Sequence, residues 1–270
     1  MEFIVAAVLG LVQGITEFLP VSSTGHLILA RAFLGVEGAG SLAFDAILHL
    51  ATALAAVTYF RRDIWLLVQT FLRYVGMLPV GGRDVSLLFA VIFGTIPAAI
   101  AGLFLEELME TVFRSPLIVA AMLVAGAVLL GAAEYVHARK HLFKKHVTVQ
   151  SGVIVGLFQT LALIPGVSRS GASISGGLFT GLTRADATRF AFLLAIPVLL
   201  GAGVKKTLEL LSHGEDVFWA PILFGALVAF AVGFGAIHFM ITYLRRHTFW
   251  PFIWYRVLLA AVVALLVFAG

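Results

Sequence analysis

The chain has 270 residues, of which 61% are hydrophobic and only 12% charged, with no cysteine. A soluble domain of this size carries about 25% charged residues, so this chain has too little charge to cover a water-exposed globule. A soluble enzyme, a disordered chain and a disulfide-stapled secreted domain are excluded, which leaves an all-α integral membrane protein. The apolar runs are far longer than the alternating segments of about 10 residues expected of an outer-membrane barrel. The net charge of +4 does not indicate nucleic acid, because Lys and Arg gather at the ends of apolar runs, as the positive-inside rule expects.

The first stretch, Met1–Gly35, is apolar but lacks a basic leader and an A-x-A-like cleavage site, and it carries Glu17. It reads as mature structure rather than a signal peptide. Six runs follow that are long enough to cross a bilayer: Leu42–Phe60, Val85–Leu105, Pro116–Val136, Arg189–Leu211, Trp219–Leu244 and Trp250–Ala269. Arg61–Arg83, His137–His146, Arg184–Arg189 and Arg245–His247 are basic connections, whereas Glu106–Glu110 and Glu215–Asp216 lie in acidic or neutral ones. Basic loops placed in the cytoplasm give strict alternation over six transmembrane helices. Met1–Gly35 and Val149–Leu182 then begin and end on one side each. Both are interrupted by Pro and a Ser/Gly cluster, the pattern of re-entrant broken-helix loops buried in protein.

The two stretches match one another. Gly10-Leu11-Val12-Gln13 and Gly156-Leu157-Phe158-Gln159 share G-L-x-Q at an offset of 146, and Ser22-Ser23-Thr24-Gly25 matches Ser168-Arg169-Ser170-Gly171 at the same offset. Each copy precedes three spans, so the expected architecture is an inverted-topology repeat in a single membrane domain. Repeat 1 covers about residues 1–136, a basic cytoplasmic loop 137–148, and repeat 2 about 149–270.

Two clusters could carry chemistry. In the first, a spacing of four places Gln13 and Glu17 on one helix face; Pro20 ends that half-helix, Ser22 or Ser23 is suited to cap the next, and Thr24 and His26 follow. A carboxylate at membrane depth costs about 2.5–3.5 kcal/mol and is expected to have a function. In the second, Pro165-Gly166-Val167-Ser168-Arg169-Ser170-Gly171-Ala172-Ser173 combines glycines that admit an anion closely, N–H groups opening a half-helix, and a forked guanidinium suited to phosphate. Together they describe a phosphate site. His49, Asp45 and Glu134 read as snorkelling or structural groups near span ends. Lys205 and Lys206 read as interfacial anchors, and Trp219, Trp250 and Trp254 as aromatic ones.

Gln13-x-x-x-Glu17-Phe18-Leu19-Pro20-Val21-Ser22-Ser23-Thr24-Gly25-His26 and Pro165–Ser173 resemble the paired motifs of the undecaprenyl-diphosphate phosphatase family, also called bacitracin-resistance proteins. The resemblance covers essentially the whole chain. It implies a bacterial inner-membrane enzyme that removes the terminal phosphate of undecaprenyl pyrophosphate and recycles the carrier for cell-wall glycans, with a site facing the extracytoplasmic side. It also implies a divalent cation, Mg²⁺ or Ca²⁺, for which Glu17 is the candidate ligand together with substrate phosphates. Members accept Glu or Gln at the first position of the acidic motif, and Gln13 here argues against a two-carboxylate metal site. Ser173 stands where members often carry Thr, and keeps the hydroxyl.

The expected catalytic set is Glu17, Ser23, His26 and Arg169, with Gln13, Ser22, Thr24, Gly166, Ser168, Ser170, Gly171 and Ser173 binding substrate. Ser23, His26 or water could be the nucleophile, and Ser23 has candidate bases within one or two turns. A polyprenyl-phosphate transporter using the same anion site without hydrolysis is the alternative, since broken helices in inverted repeats also build carriers. The expected partners are a polyprenyl pyrophosphate lipid and the membrane, without nucleic acid, and a homodimer is a compatible assembly.

Overall fold

A computed structural model describes residues 2–36, 40–110, 115–144, 146–212 and 219–269. Among these residues there are eleven α-helices and no strand. The first broken segment is α1 (Phe3–Phe18) and α2 (Ser23–Leu34), followed by α3 (Gly40–Tyr59), α4 (Arg61–Val75), α5 (Gly82–Glu110) and α6 (Pro116–Ala138). The second is α7 (Val149–Leu161) and α8 (Arg169–Phe179), followed by α9 (Arg184–Ser212), α10 (Trp219–Tyr243) and α11 (Trp250–Ala269). Of the sequence features used above, Glu215–Asp216, Lys145 and the side chains of Glu106–Glu110 lie outside the described residues.

Helices α5, α6, α9, α10 and α11 are long and apolar enough to cross a membrane, which makes this a multi-pass membrane protein. The sixth expected run, Leu42–Phe60, is helical as α3, but its described apolar part, Phe44–Tyr59, is shorter than those five. The perimeter is apolar, with Leu103, Phe104, Leu258 and Leu265 exposed, while an inner core gathers around Phe18, Phe192 and Ile237. Phe18 and Phe192 meet edge to face with ring centroids 5.3 Å apart.

One connection is more ordered than the sequence suggests. Arg61–Arg83 was read as a basic connection, yet its first fifteen residues form α4. Its arginines dilute an apolar stripe that only becomes visible at helical period.

The packing pairs elements across the two halves. α1 lies along α10 and α7 lies along α5, while α3 meets α9 and α6 meets α11. Glycine permits the first two pairings: Gly10 faces the backbone of Gly225, and Gly156 faces the backbone of Gly94, with no room for a Cβ at either. Small residues at such crossings let helix backbones approach. Gly156→Ala is therefore expected to lower the thermal midpoint of the detergent-solubilised protein, by an overpacking cost of about 1–3 kcal/mol. Gly235→Ala, which meets nothing within 4 Å, should leave the melt unchanged.

At the end carrying the basic connections, charges are used structurally. Buried Glu134 accepts a pair of bonds from Arg184 Nε, at 2.9 and 3.0 Å. Lys140 Nζ donates to the carbonyls of Leu178 and Phe179, at 3.1 and 2.8 Å, satisfying acceptors at the C-terminal end of α8.

Candidate active site

The two broken segments leave their first helices differently but restart on the same serine cap. Leu19, ahead of Pro20, is extended at φ −69° and ψ 142°, as a residue preceding proline prefers. Ser22 then takes φ 75° and caps α2, its hydroxyl accepting from Gly25 N at 3.4 Å. In the second segment Ser168 takes φ 72° and caps α8, accepting from Gly171 N at 3.2 Å. A left-handed serine costs about 1–3 kcal/mol. Glycine would relieve that strain but could not supply the capping oxygen. After each cap, the first helical residue turns to the same carboxylate: Ser23 reaches Glu17 within its own segment, and Arg169 reaches it across from the second.

They meet at Glu17, which is 4% exposed. Its Oε2 accepts from Ser23 Oγ at 2.7 Å and from Gln13 Nε2 at 2.9 Å, and its Oε1 is paired with the Arg169 guanidinium. Glu17, Ser23 and Arg169 border a cavity of about 220 Å³, whose wall also includes Thr16, Ser22, Thr24, Gly166 and Ser168, with Gln13 buried behind the carboxylate. His49 and Lys206 line it as well. The sequence reads His49 as a snorkelling or structural group and Lys206 as an interfacial anchor, and neither reading includes a place in this wall. His49 Nδ1 lies 2.9 Å from Gln13 Nε2 and 3.3 Å from Glu17 Oε2, so it belongs to the carboxylate's surroundings. By contrast Asp45 pairs with Arg31 at 2.5 Å and ties α3 to α2.

Other expected site residues stand behind the cavity. Ser170 Oγ donates to the Leu19 carbonyl at 2.9 Å, joining the second break to the first. Ser173, fully buried, points its hydroxyl at Gln159 Oε1, 3.5 Å away. Gly171 serves the cap. His26 faces away from the cavity lining: Nδ1 lies 2.7 Å from the Ser22 carbonyl and Nε2 lies 2.7 Å from Tyr255 Oη. A carbonyl can only accept, so Nδ1 carries the proton and Tyr255 donates to Nε2. The imidazole thus holds the carbonyl of the strained serine, and its lone pair is occupied.

Sequence reasoning also missed Arg256, the single charge inside the Trp250–Ala269 run. It is fully buried. Its Nη2 donates to the carbonyls of Gly166 and Val167 at 2.9 and 2.8 Å, its Nε to Leu123 at 3.2 Å and its Nη1 to Pro20 at 3.4 Å. One side chain from α11 therefore clasps both breaks. The sequence signal was available, since a lone arginine amid apolar residues at that depth asks for partners.

Two helix breaks in a multi-pass membrane protein present a hydroxyl, a carboxylate and a guanidinium to one cavity, a donor set suited to an anionic group. The chain belongs to the bacitracin resistance protein BacA family, whose profile matches residues 6–262. An undecaprenyl-diphosphatase from Trichlorobacter lovleyi is 44% identical over 259 residues, covering 95% of this chain and 94% of that protein. Proteins of the same name from Marinobacter nauticus and Idiomarina loihiensis are 40% and 41% identical, over 97% and 99% of this chain and 98% and 100% of their own lengths.

Proposed function

We propose that this protein hydrolyses undecaprenyl diphosphate to undecaprenyl phosphate and inorganic phosphate. The observation that carries the chemistry is the 2.7 Å bond from Ser23 Oγ to buried Glu17, beside an arginine suited to phosphate oxygens. The family and its relatives' names supply the substrate. In this reading the terminal phosphate enters the cavity and takes Arg169 from Glu17. Freed of its cation, the carboxylate becomes a stronger base as Ser23 must lose its proton. Ser23 Oγ attacks the terminal phosphorus, the bond to the bridging oxygen breaks, and the lipid monophosphate leaves with the electron pair. Water then cleaves the phosphoserine, releasing phosphate and returning the proton. Positioning and charge neutralisation carry most of the catalysis in such loose transition states.

The donor set suits a cation that arrives with the diphosphate rather than an all-protein cage. Among the described residues no group of three or more His, Cys, Asp or Glu could hold a metal, whereas Mg²⁺ commonly uses one or two carboxylates plus substrate phosphates. Glu17, which lines the cavity, would hold it together with the substrate phosphates. It would supply charge neutralisation on the phosphate oxygens.

The proposed topology has six spans and two re-entrant segments related as an inverted repeat. Its supports are the two equivalent serine caps, the reciprocal pairing of α1 with α10 and α7 with α5, and the shared offset. The cavity includes Gly203 and Lys206, near the end of α9 opposite Arg184. With basic ends inside, the site faces the extracytoplasmic side of the bacterial inner membrane.

The test is phosphate release from a polyprenyl diphosphate in detergent. Ser23→Ala should lose nearly all turnover while retaining the fold. His26→Asn, whose amide can donate to the Ser22 carbonyl, should retain much more turnover than His26→Ala. Equal loss in both His26 variants, with activity surviving Ser23→Ala, would move the nucleophile to the imidazole. Binding without release by the wild type would favour a carrier.

A further inference from the structure

The corner where α3 turns into α4 gathers three arginines. Arg61, Arg62 and Arg189, with Tyr59, Asp63 and Leu66, line a cavity of about 530 Å³ that shares no residue with the catalytic one. Asp63 is its single acid and accepts from Arg189 at 2.6 Å. Arg61 donates to the Thr58 carbonyl at 3.1 Å, and the side chain of Arg62 is exposed. Within this lining three guanidinium groups face one carboxylate, while Asp84 and Asp186 lie with Arg83 in the adjoining cavity that shares Asp63 and Arg189, so the cationic excess falls on Arg61 and Arg62.

The helix that leaves this corner is amphipathic over its length. Trp65, Val68, Leu72 and Val75 recur at helical spacing along one side, and all four are exposed, Trp65 and Leu72 at 61%. Arg62, Gln69 and Arg73 share a different side. A fifteen-residue helix is about 22 Å long at 1.5 Å per residue, too short to cross a hydrocarbon core of about 30 Å. A polar side rich in arginine and an apolar side bearing tryptophan suit a helix lying in the membrane interface.

We propose that Arg61, Arg62 and Arg189 bind the headgroup of an anionic phospholipid, with α4 lying in the interface so that its apolar side meets the acyl chains. Charge complementarity selects the lipid. A zwitterionic headgroup would bring its own cation to three arginines, whereas a headgroup with net negative charge would not. A free phosphate would make no use of the Trp65 side. Each arginine near an anionic surface contributes about 1 kcal/mol, roughly a fivefold affinity factor.

The protein would be reconstituted in nanodiscs containing brominated phosphatidylglycerol or brominated phosphatidylcholine at equal fraction. A variant with Trp219, Trp250 and Trp254 changed to Phe leaves Trp65 as the sole reporter. Phosphatidylglycerol should quench Trp65 more strongly, and native mass spectrometry of the wild type should find it retained preferentially. Arg61→Gln/Arg62→Gln should reduce that preference at least fivefold without changing phosphate release, while Arg73→Gln, outside the cavity, should reduce it by less than the double change. Equal quenching and retention of both lipids by proteins with Arg61 and Arg62 intact would overturn the proposal, as would an undiminished preference in the double variant. Should the single-tryptophan protein fail to fold, retention by the wild type and the double variant decides.

Discussion

Arg256→Lys is expected to reduce phosphate release by about 100-fold or more and to lower the thermal midpoint by several degrees. Arginine is placed there by shape as much as by charge. Its planar fork reaches carbonyls of α6, of the first break and of the second break at once. An ammonium is a compact point with three donors and cannot span them. Each buried carbonyl left without a partner costs about 1–3 kcal/mol, so losing two or three is a large fraction of a typical protein's stability. The rate should fall further than stability alone demands. Pro20 and Gly166 belong to the turns that aim Ser23 and Arg169, and a displacement of about 1 Å at a reacting group can cost 10²-fold. Thermal melts in detergent and turnover at saturating substrate measure the two effects separately. Full turnover in Arg256→Met would mean that the breaks hold their geometry unaided.

Glu17→Gln should separate catalysis from binding. Removing the base is expected to lower the maximal rate by about 10²–10⁴-fold. In chelator, the same change should tighten binding of a non-hydrolysable diphosphate lipid, because the wild-type carboxylate is paired with Arg169 and competes with the substrate for it. Equilibrium binding beside single-turnover hydrolysis reads both. Weaker binding in chelator would sink the competition argument. Weaker binding only with Mg²⁺ present would mark Glu17 as a bridge to the cation.

The chemistry-bearing motifs were legible because polar groups are costly in an apolar chain and so stand out. Glu17, Ser23 and Arg169 were recognisable from residue type and repeat alone, and the structure brings all three together. Which way His26 points was not legible. The positive φ at Ser22 sets the direction of α2, and helical period then carries His26 to Tyr255 while Ser23 meets Glu17. His49 reads in the sequence only as a snorkelling or structural group near a span end, because its partners are 32 and 36 residues away in the chain. α4 was mistaken for a loop because its apolar and basic residues nearly cancel in any average, while the arrangement around the helix carries the signal.

The matched serine caps have a consequence for how one active centre can be made from two similar halves. Ser23 and Arg169 occupy the same place, the first turn residue after a left-handed serine, and both reach one carboxylate. Two identical half-chains facing each other would have to set the same residue on both sides of the phosphate: two hydroxyls with nothing to grip it, or two cations with nothing to attack it. Joining the halves in a single chain frees each copy to keep the shared backbone turn and choose its own side chain. The proposed reaction rests on that inequality between otherwise matching turns.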